Sequence, residues 1–254
     1  MAQILNVFAL PNLAAPEDLI EGTAVVIDVL RACTTIIHAF EAGASEVIPC
    51  LEVEEARKTA SVLPQGQAVL GGERGGLRIE GFDLGNSPED YTPETVSGKT
   101  IVFTTTNGTR AMQRCTKARR VLIGAFANAE ALCRKLAGEE IVHLVCAGTR
   151  GQMTNEDILL AGLIVQRLQQ RGDIQYTLNA QAITARETWQ AAFALPHALG
   201  AEPLGPERLA AQLETATGGQ DLIKIGLRRD ILVAAHLDQF QYVPELDVET
   251  FRIS

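Results

Sequence analysis

Positive charge is scarce in this sequence. Its 254 residues hold 22 Lys and Arg against 31 Asp and Glu, a formal net charge of −9. A protein that grips nucleic acid regardless of sequence needs a basic surface to release the counterions around phosphates, so that class is disfavoured. Attachment to an anionic membrane is disfavoured for the same reason. Long apolar runs are also missing. No stretch of about 18 apolar residues exists, which excludes a membrane-spanning helix. Met1 to Pro16 contains no Lys or Arg and is broken by Asn6, Pro11, Asn12 and Pro16. It therefore lacks the basic and apolar regions of a signal peptide. Paired cysteines are absent too. Cys33, Cys50, Cys115, Cys133 and Cys146 are odd in number and form no CxxC. That leaves no visible zinc site or redox dithiol, and it fits buried, reduced thiols in a cytoplasmic protein.

What is present is a large core. Hydrophobic residues make up 46% of the chain and charged residues 21%, which excludes a disordered chain. The length suits one large domain or two small ones. Of the 22 bases, 17 are Arg and 5 are Lys. Arginine is the planar, bidentate partner of phosphate and carboxylate.

Two segments look alike, residues 22–58 and 98–135. Each begins with a Gly-led strand, Thr23–Ile27 or Lys99–Phe103, followed by a Thr-rich elbow and an amphipathic helix. Each continues with a short strand, Glu46–Ile48 or Arg120–Ile123, and a second helix. A third strand, Ile141–Cys146, leads through the Gly-rich loop Ala147–Thr154 into a periodic helix, Glu156–Gln170. Gln3–Ala9 reads as a strand before the repeats, and Val69–Ser87 begins with another between them. Strands alternating with helices, and apolar nearly throughout, predict a parallel, mostly parallel or mixed sheet covered on both faces. A helical flank follows at about 179–240, with helices at Asn179–Ala194, Glu207–Glu214, Gly219–Ile225 and Arg229–Phe240. A last strand is predicted at Val248–Ile253. With no flexible linker visible, residues 1–254 are expected to form a single α/β domain. The pattern does not fix the oligomeric state, and a homodimer stays open.

In open α/β sheets a ligand binds beyond the carboxyl ends of the strands. Four loops there combine small or hydroxyl residues with one arginine: Asp28–Thr35, Gly71–Gly76, Thr104–Arg110 and Ala147–Gly151. Glycines let backbone N–H groups approach a phosphate, and Arg31, Arg74, Arg110 and Arg150 can hold its oxygens. One such loop is an ordinary turn or helix cap, whereas four point to a multiply charged anion. Carboxylates cluster in the same regions: Asp28, Glu73, Asp83, Glu156 and Asp157. Oxygen ligands without paired His or Cys suggest a hard cation such as Mg²⁺, and a metal beside arginines and glycine loops suits phosphoryl transfer. Gly98-Lys99-Thr100 is no P-loop, since it precedes its strand and has Pro93 where glycine is required. His38, His143, His197 and His236 are scattered; His38 and His143 lie on apolar elements and read as structural. Cys33 and Cys146 neighbour the loops but have no adjacent His to activate them.

The ordered set Asp28-Val29-Leu30-Arg31-Ala32, Gly72-Glu73-Arg74-Gly75-Gly76, Gly81–Pro88, Thr104–Arg110 and Cys146-Ala147-Gly148 with Glu156-Asp157 resembles the 2-phosphosulfolactate phosphatase family. The resemblance runs from about residue 3 to residue 245. It implies a three-layer α/β/α fold and Mg²⁺-dependent hydrolysis of 2-phosphosulfolactate to 3-sulfolactate and phosphate, a step of coenzyme M biosynthesis. The partner is then a small polyanionic phosphorylated acid. On this resemblance, Thr105, Thr106, Asn107, Gly108, Thr109 and Arg110 are expected to bind phosphate, with Asn86 and Gly148 beside them. Arg31 and Arg74 are expected to hold sulfonate and carboxylate. Asp28, Asp83 and Asp157 are the expected Mg²⁺ ligands. Glu73 or Glu156 is the expected base, and an aspartyl-phosphate on Asp28 is the mechanistic alternative. Two other functions remain open: a phosphatase of the same mechanism for another small phosphorylated 2-hydroxy acid, and a non-catalytic anion-binding protein.

Overall fold

The computed structural model describes residues 3–171, 175–194 and 204–254. Strand β1 runs Gln3–Phe8, β2 Thr23–Ile27, β3 Glu46–Pro49, β4 Ala68–Arg74, β5 Leu77–Arg78 and β6 Thr100–Thr104. Next come β7 Arg120–Gly124, β8 Ile141–Cys146, β9 Tyr176–Leu178, β10 Glu245–Asp247 and β11 Arg252–Ile253. Helix α1 runs Ala32–Glu41, α2 Val53–Ser61, α3 Pro93–Val96, α4 Gly108–Arg114 and α5 Ala129–Leu136. The later helices are α6 Asn155–Gln170, α7 Ala180–Trp189, α8 Pro206–Glu214, α9 Thr217–Lys224 and α10 Arg228–Ala234.

These strands form one eleven-stranded sheet in the order β5-β4-β6-β3-β11-β10-β7-β2-β8-β1-β9. Two parallel runs make up most of it: β4, β6 and β3 on one side, β7, β2, β8, β1 and β9 on the other. The hairpin β10–β11 joins the runs through antiparallel pairs, with Leu246 opposite Val121 and Ile253 opposite Val47.

Helices cover both faces, which gives the three-layer α/β/α arrangement. β2 reads Thr-Ala-Val-Val-Ile and is buried throughout, as a strand covered on both sides must be. Its pleat sends Ala24 and Val26 into one core with Ile36 and Ile37 of α1 and Met112 of α4. Val25 and Ile27 belong to the opposite core, with Leu132 of α5, Leu160 of α6 and Trp189 of α7. On the other parallel run, Ile101 and Phe103 of β6 share the α1–α4 core, while Val102 packs with Ala56 of α2. Residues 22–58 fold as β2-α1-β3-α2 and residues 98–135 as β6-α4-β7-α5. The two look-alike segments therefore share one order of elements.

Three details differ from the sequence reading. The single strand expected at Val248–Ile253 is instead the hairpin β10–β11. Asp247 Oδ1 accepts the N–H groups of Glu249 and Thr250 at 2.9 Å each and turns the chain there. The helix expected over Arg229–Phe240 ends at Ala234, and Asp238 beyond it has a φ of +58°. Its carboxylate accepts two bonds from Arg167, at 2.7 and 2.6 Å, and the Glu130 N–H at 2.8 Å. Such contacts hold an irregular segment where a helix would point its side chains elsewhere. Strand β9 had no sequence signal, because three residues are too few to show a period. His197 lies outside the described residues. No described helix is long and apolar enough to cross a membrane.

The turn from β4 towards the cleft depends on Gly72. Its φ is +141°, and a Cβ there would lie 2.0 Å from the Thr104 carbonyl oxygen. Gly66 also has a positive φ, +80°, but a Cβ there would meet nothing within 4 Å. Gly72→Ala is expected to cost at least about 2 kcal/mol, since backbone must move. Gly66→Ala should cost only about 1 kcal/mol. Urea midpoints compare the two, and equal midpoints would contradict the close packing of β4 on β6.

Candidate active site

A cleft of about 510 Å³ opens where several loops converge. Asp28, Leu30 and Arg31 line it from the loop after β2, and Glu73, Gly75 and Gly76 from the turn between β4 and β5. Thr105, Thr106 and Asn107 come from the loop after β6, Thr149 and Arg150 from the loop after β8, and Asn86 from the loop that follows β5. The remaining wall is Gly218, Asp221, Leu222, Lys224 and Ile225 of α9 and the residue after it.

The floor is acidic and buried. Asp28 follows β2 directly, and its Oδ1 accepts the N–H of Ala32 at the start of α1, at 3.3 Å. No described group donates to Oδ2. Burial pushes the Asp28 carboxyl well above the usual range, and the neighbouring charges of Asp157, Glu73 and Glu156 push it further. Gly108 lets α4 begin beside it: a Cβ there would lie 2.6 Å from the Ala32 Cβ and 2.8 Å from Asp28 Oδ2.

Glu73 and Asp157 act as clamps between loops. Glu73 Oε1 accepts the Thr106 N–H and Oε2 the Gly76 N–H, both at 2.7 Å, tying the β4–β5 turn to the threonine loop. Asp157 Oδ1 accepts the Val29 N–H at 2.9 Å and Oδ2 the Gly148 N–H at 3.0 Å, tying the loop after β2 to the loop after β8. Burial raises Asp157 to about 6 despite these bonds. Burial and the Asp157 charge raise Glu156 to about 8. Glu156 Oε2 is buried without a hydrogen-bond partner, and Gly218 of the cleft wall packs directly on Oε1. Glu156 itself is not one of the residues that line the cleft; within the lining, Asn86 Oδ1 and Thr106 Oγ1 are buried and unpartnered.

Arg31 is held tightly. Its Nη1 donates to Asp230 Oδ2 at 2.6 Å and its Nη2 to the Gly76 carbonyl at 2.6 Å. Both side chains of the Arg31–Asp230 pair are 3% exposed. Asp230 Oδ1 in turn accepts the Ser87 hydroxyl at 2.7 Å. The residue thus anchors α10 and the β4–β5 turn to the loop after β2.

Other expected site residues stand elsewhere. Asp83 is exposed, outside the cleft lining, and its Oδ2 accepts the Leu70 N–H at 2.8 Å. Arg74 donates to the carbonyls of Glu73 and Leu51 and to Thr104 Oγ1, so it joins strand ends rather than facing the cleft. Arg110 points to a separate groove with Arg114 and Lys117, because the helical turn carries it past the loop. Thr109 is buried and donates its hydroxyl to the Thr105 carbonyl. Gly108 and Gly148 support the cleft by packing and by the bond to Asp157. Sequence reasoning missed Asp230, Ser87, Gly218, Asp221 and Lys224. The Gly218-Gly219 pair at a helix start was the available signal for α9. Nothing in the sequence links residue 230 to residue 31.

The chemistry of the cleft follows from this inventory. Among the described residues, no three His, Cys, Asp or Glu side chains are grouped to hold a metal by themselves. Asp157 and Glu73 use both oxygens on backbone N–H groups. Asp28 Oδ2 and Asn86 Oδ1 remain as oxygen donors in the lining. That supply fits a cation which takes one carboxylate from the protein and its other ligands from water and substrate, as Mg²⁺ commonly does.

An α/β/α fold with buried acids and hydroxyls in a cleft at its strand-end loops has the arrangement of an enzyme acting on a small molecule. The chain belongs to the 2-phosphosulpholactate phosphatase family, whose profile matches residues 9–249. It is similar to proteins named probable 2-phosphosulfolactate phosphatase in several bacteria. One from Symbiobacterium thermophilum is 40% identical over 234 residues, 92% of this chain and 94% of that protein. One from Parasynechococcus marenigrum is 40% identical over 232 residues, 90% of each chain. One from Clostridium acetobutylicum is 36% identical over 224 residues, 88% of each. The chain is accordingly a phosphoric monoester hydrolase.

Removing one partner of a buried ion pair strands the other charge. Asp230→Ala is expected to destabilise the protein by about 3–5 kcal/mol, and the Arg31→Met/Asp230→Leu double variant by less than that. Chemical denaturation of the variants decides, and a harmless Asp230→Ala would show that the pair holds nothing together.

The raised acids also set a pH dependence. Asp28, Glu156 and Asp157 bind protons more tightly folded than unfolded. Their contribution to stability is therefore present below about pH 4 and is lost as pH rises through the folded values. In buffer free of divalent cations, the melting temperature should fall from about pH 5 to about pH 8.5, and Glu156→Gln should flatten that fall. An unchanged slope in Glu156→Gln would remove Glu156 from the effect.

Proposed function

We propose that this protein hydrolyses 2-phosphosulfolactate to 3-sulfolactate and phosphate in an Mg²⁺-dependent reaction. The observation that carries the reading is the convergence of Asp28, Asn86 and Thr105–Asn107 on one cleft, within the stretch matched to the family. An anionic substrate brought next to buried carboxylates needs a countercharge. Asp28 and Asn86 would hold a divalent cation, which would supply that countercharge and polarise the phosphoryl group. The relatives named above as probable 2-phosphosulfolactate phosphatases support this choice of substrate.

This chain's own residues divide the remaining work. Thr105, Thr106 and Asn107 bind the phosphoryl group, and the free Thr106 hydroxyl donates to one of its oxygens. Glu73 positions that loop through the Thr106 N–H, which replaces the expected role as base. Glu156, the other expected base, is buried behind Gly218 and outside the residues that line the cleft, so it supports the start of α9 rather than meeting the attacking water. Arg31 is a positioning residue that fixes the Gly76 turn. Asp157 holds the loop after β2 in register with the loop after β8. All five cysteines are buried and free, in keeping with a reducing, cytoplasmic setting. In a host that makes coenzyme M, the reaction would serve that pathway.

Phosphate release from 2-phosphosulfolactate, with Mg²⁺ and with chelator, tests the reading. Activity is expected only with the metal. Asp28→Ala should lower kcat by at least about a thousandfold. Asp83→Ala and Arg110→Ala should retain turnover within about threefold, since neither faces the cleft. Full activity in Asp28→Ala, or in the presence of chelator, would sink the mechanism.

A further inference from the structure

Among the described residues three cations line the cleft, and they are not equivalent. Arg31 is buried and its charge is matched by Asp230. Arg150, from the loop after β8, and Lys224, of α9, are instead largely exposed, with side chains 70% and 69% exposed. These two share a single acid. Arg150 Nη2 pairs with Asp221 Oδ2, and Lys224 Nζ lies 3.1 Å from Asp221 Oδ1. Two cations on one carboxylate leave one positive charge over. The cleft therefore has poles: acids around Asp28 on the floor, and a surplus cation between α9 and the loop after β8.

Arg150 is also tied to the phosphate end. Its φ is +54°, and its N–H donates to Asn107 Oδ1 at 3.4 Å. Its side chain meanwhile reaches Asp221 of α9, so one residue links that helix to the loop proposed to hold the phosphoryl group. Leu30, Leu222 and Ile225 supply the apolar part of the lining. Exposed ion pairs contribute little to stability, so either cation can exchange Asp221 for a ligand anion at small cost. Arginine's planar fork and lysine's point charge together match an anionic group with three acceptor oxygens. Arg31 and Arg74, the residues first expected to hold the second and third anions, are both spent on protein partners.

Resting on the phosphatase reading for the position of the phosphoryl group, we propose that Arg150 and Lys224 form the subsite that selects substrates bearing a sulfonate. Asp221 holds the two cations in place and yields them when the sulfonate arrives. Both residues bind and orient the substrate and take no part in proton transfer, so their loss should appear in KM more than in kcat.

The test uses wild type, Arg150→Ala, Lys224→Ala and the double variant. Initial rates of phosphate release are measured on 2-phosphosulfolactate and on 2-phospholactate, which lacks the sulfonate. Calorimetry then measures the binding of 3-sulfolactate, which has no phosphate to lose. Each single variant is expected to raise KM for the sulfonated ester about tenfold, and the double variant more, with a clearly smaller penalty on 2-phospholactate. Equal losses on both esters, or unchanged KM for the sulfonated one, overturn the subsite. Calorimetry separates the two readings. If wild type hydrolyses neither ester but binds 3-sulfolactate about tenfold more tightly than the double variant, the phosphatase reading fails and the subsite stands. If all four proteins bind 3-sulfolactate alike, the subsite fails whatever the enzyme hydrolyses.

Discussion

Carboxylates taken out of water must find donors, and that demand organises the cleft. Asp28, Glu73, Glu156 and Asp157 are all buried, the last three within electrostatic reach of Asp28. Each is answered differently. Asp157 and Glu73 spend both oxygens on backbone N–H groups from neighbouring loops, so satisfying the acid and fixing the loops are one event. Asp28 is half satisfied by the start of α1, and Glu156 keeps an oxygen unpartnered. The two clamped acids build the site. Of the other two, Asp28 lines the cleft and is left for chemistry, while Glu156 stays buried behind Gly218, at the cost of repulsion between the acids.

The same demand explains why the C-terminal helices belong to the site. A buried Arg31 requires a buried acid, and Asp230 of α10 supplies it from almost two hundred residues away. Once α10 is fixed, α9 lies along the cleft with Asp221 and Lys224 on its inner side. The hairpin β10–β11 then closes the sheet between its two parallel runs. The last fifty residues thus complete the sheet and one wall of the active site together.

Much of the fold was legible along the chain. Thr23–Ile27 and Ile141–Cys146 are apolar at nearly every position, the mark of strands covered on both faces, and they are interior strands paired on both sides. The Thr-rich elbows and Gly-rich loops pointed to the strand-end loops that line the cleft. Residues such as Asp28, Asn86 and Thr105–Asn107 were visible because loop chemistry is local. Strand β9 and the hairpin turn at Asp247 were not, because a three-residue strand shows no period and a turn fixed by one carboxylate has no composition signal. Arginines were the misleading class. Arg31, Arg74 and Arg110 have the same kind of loop neighbours in sequence, yet one is paired with a distant acid, one joins strand ends and one faces another groove.

The sequence by itself determined the alternation of strands and helices, the buried thiols and the loops in which the chemistry lies, because hydrophobic period and turn residues act over a few positions. It also carried the family resemblance, since ordered motifs are a property of the chain. Only the tertiary structure decided which charges are spent and which remain. Asp83 and Asp157 look alike as loop and helix-start acids; burial and backbone donors separate them. Arg31 and Arg150 look alike as loop arginines; a partner far away in the chain neutralises the first and leaves the second shared and exposed. Charge pairing depends on distance in space, and the folded chain alone sets that distance.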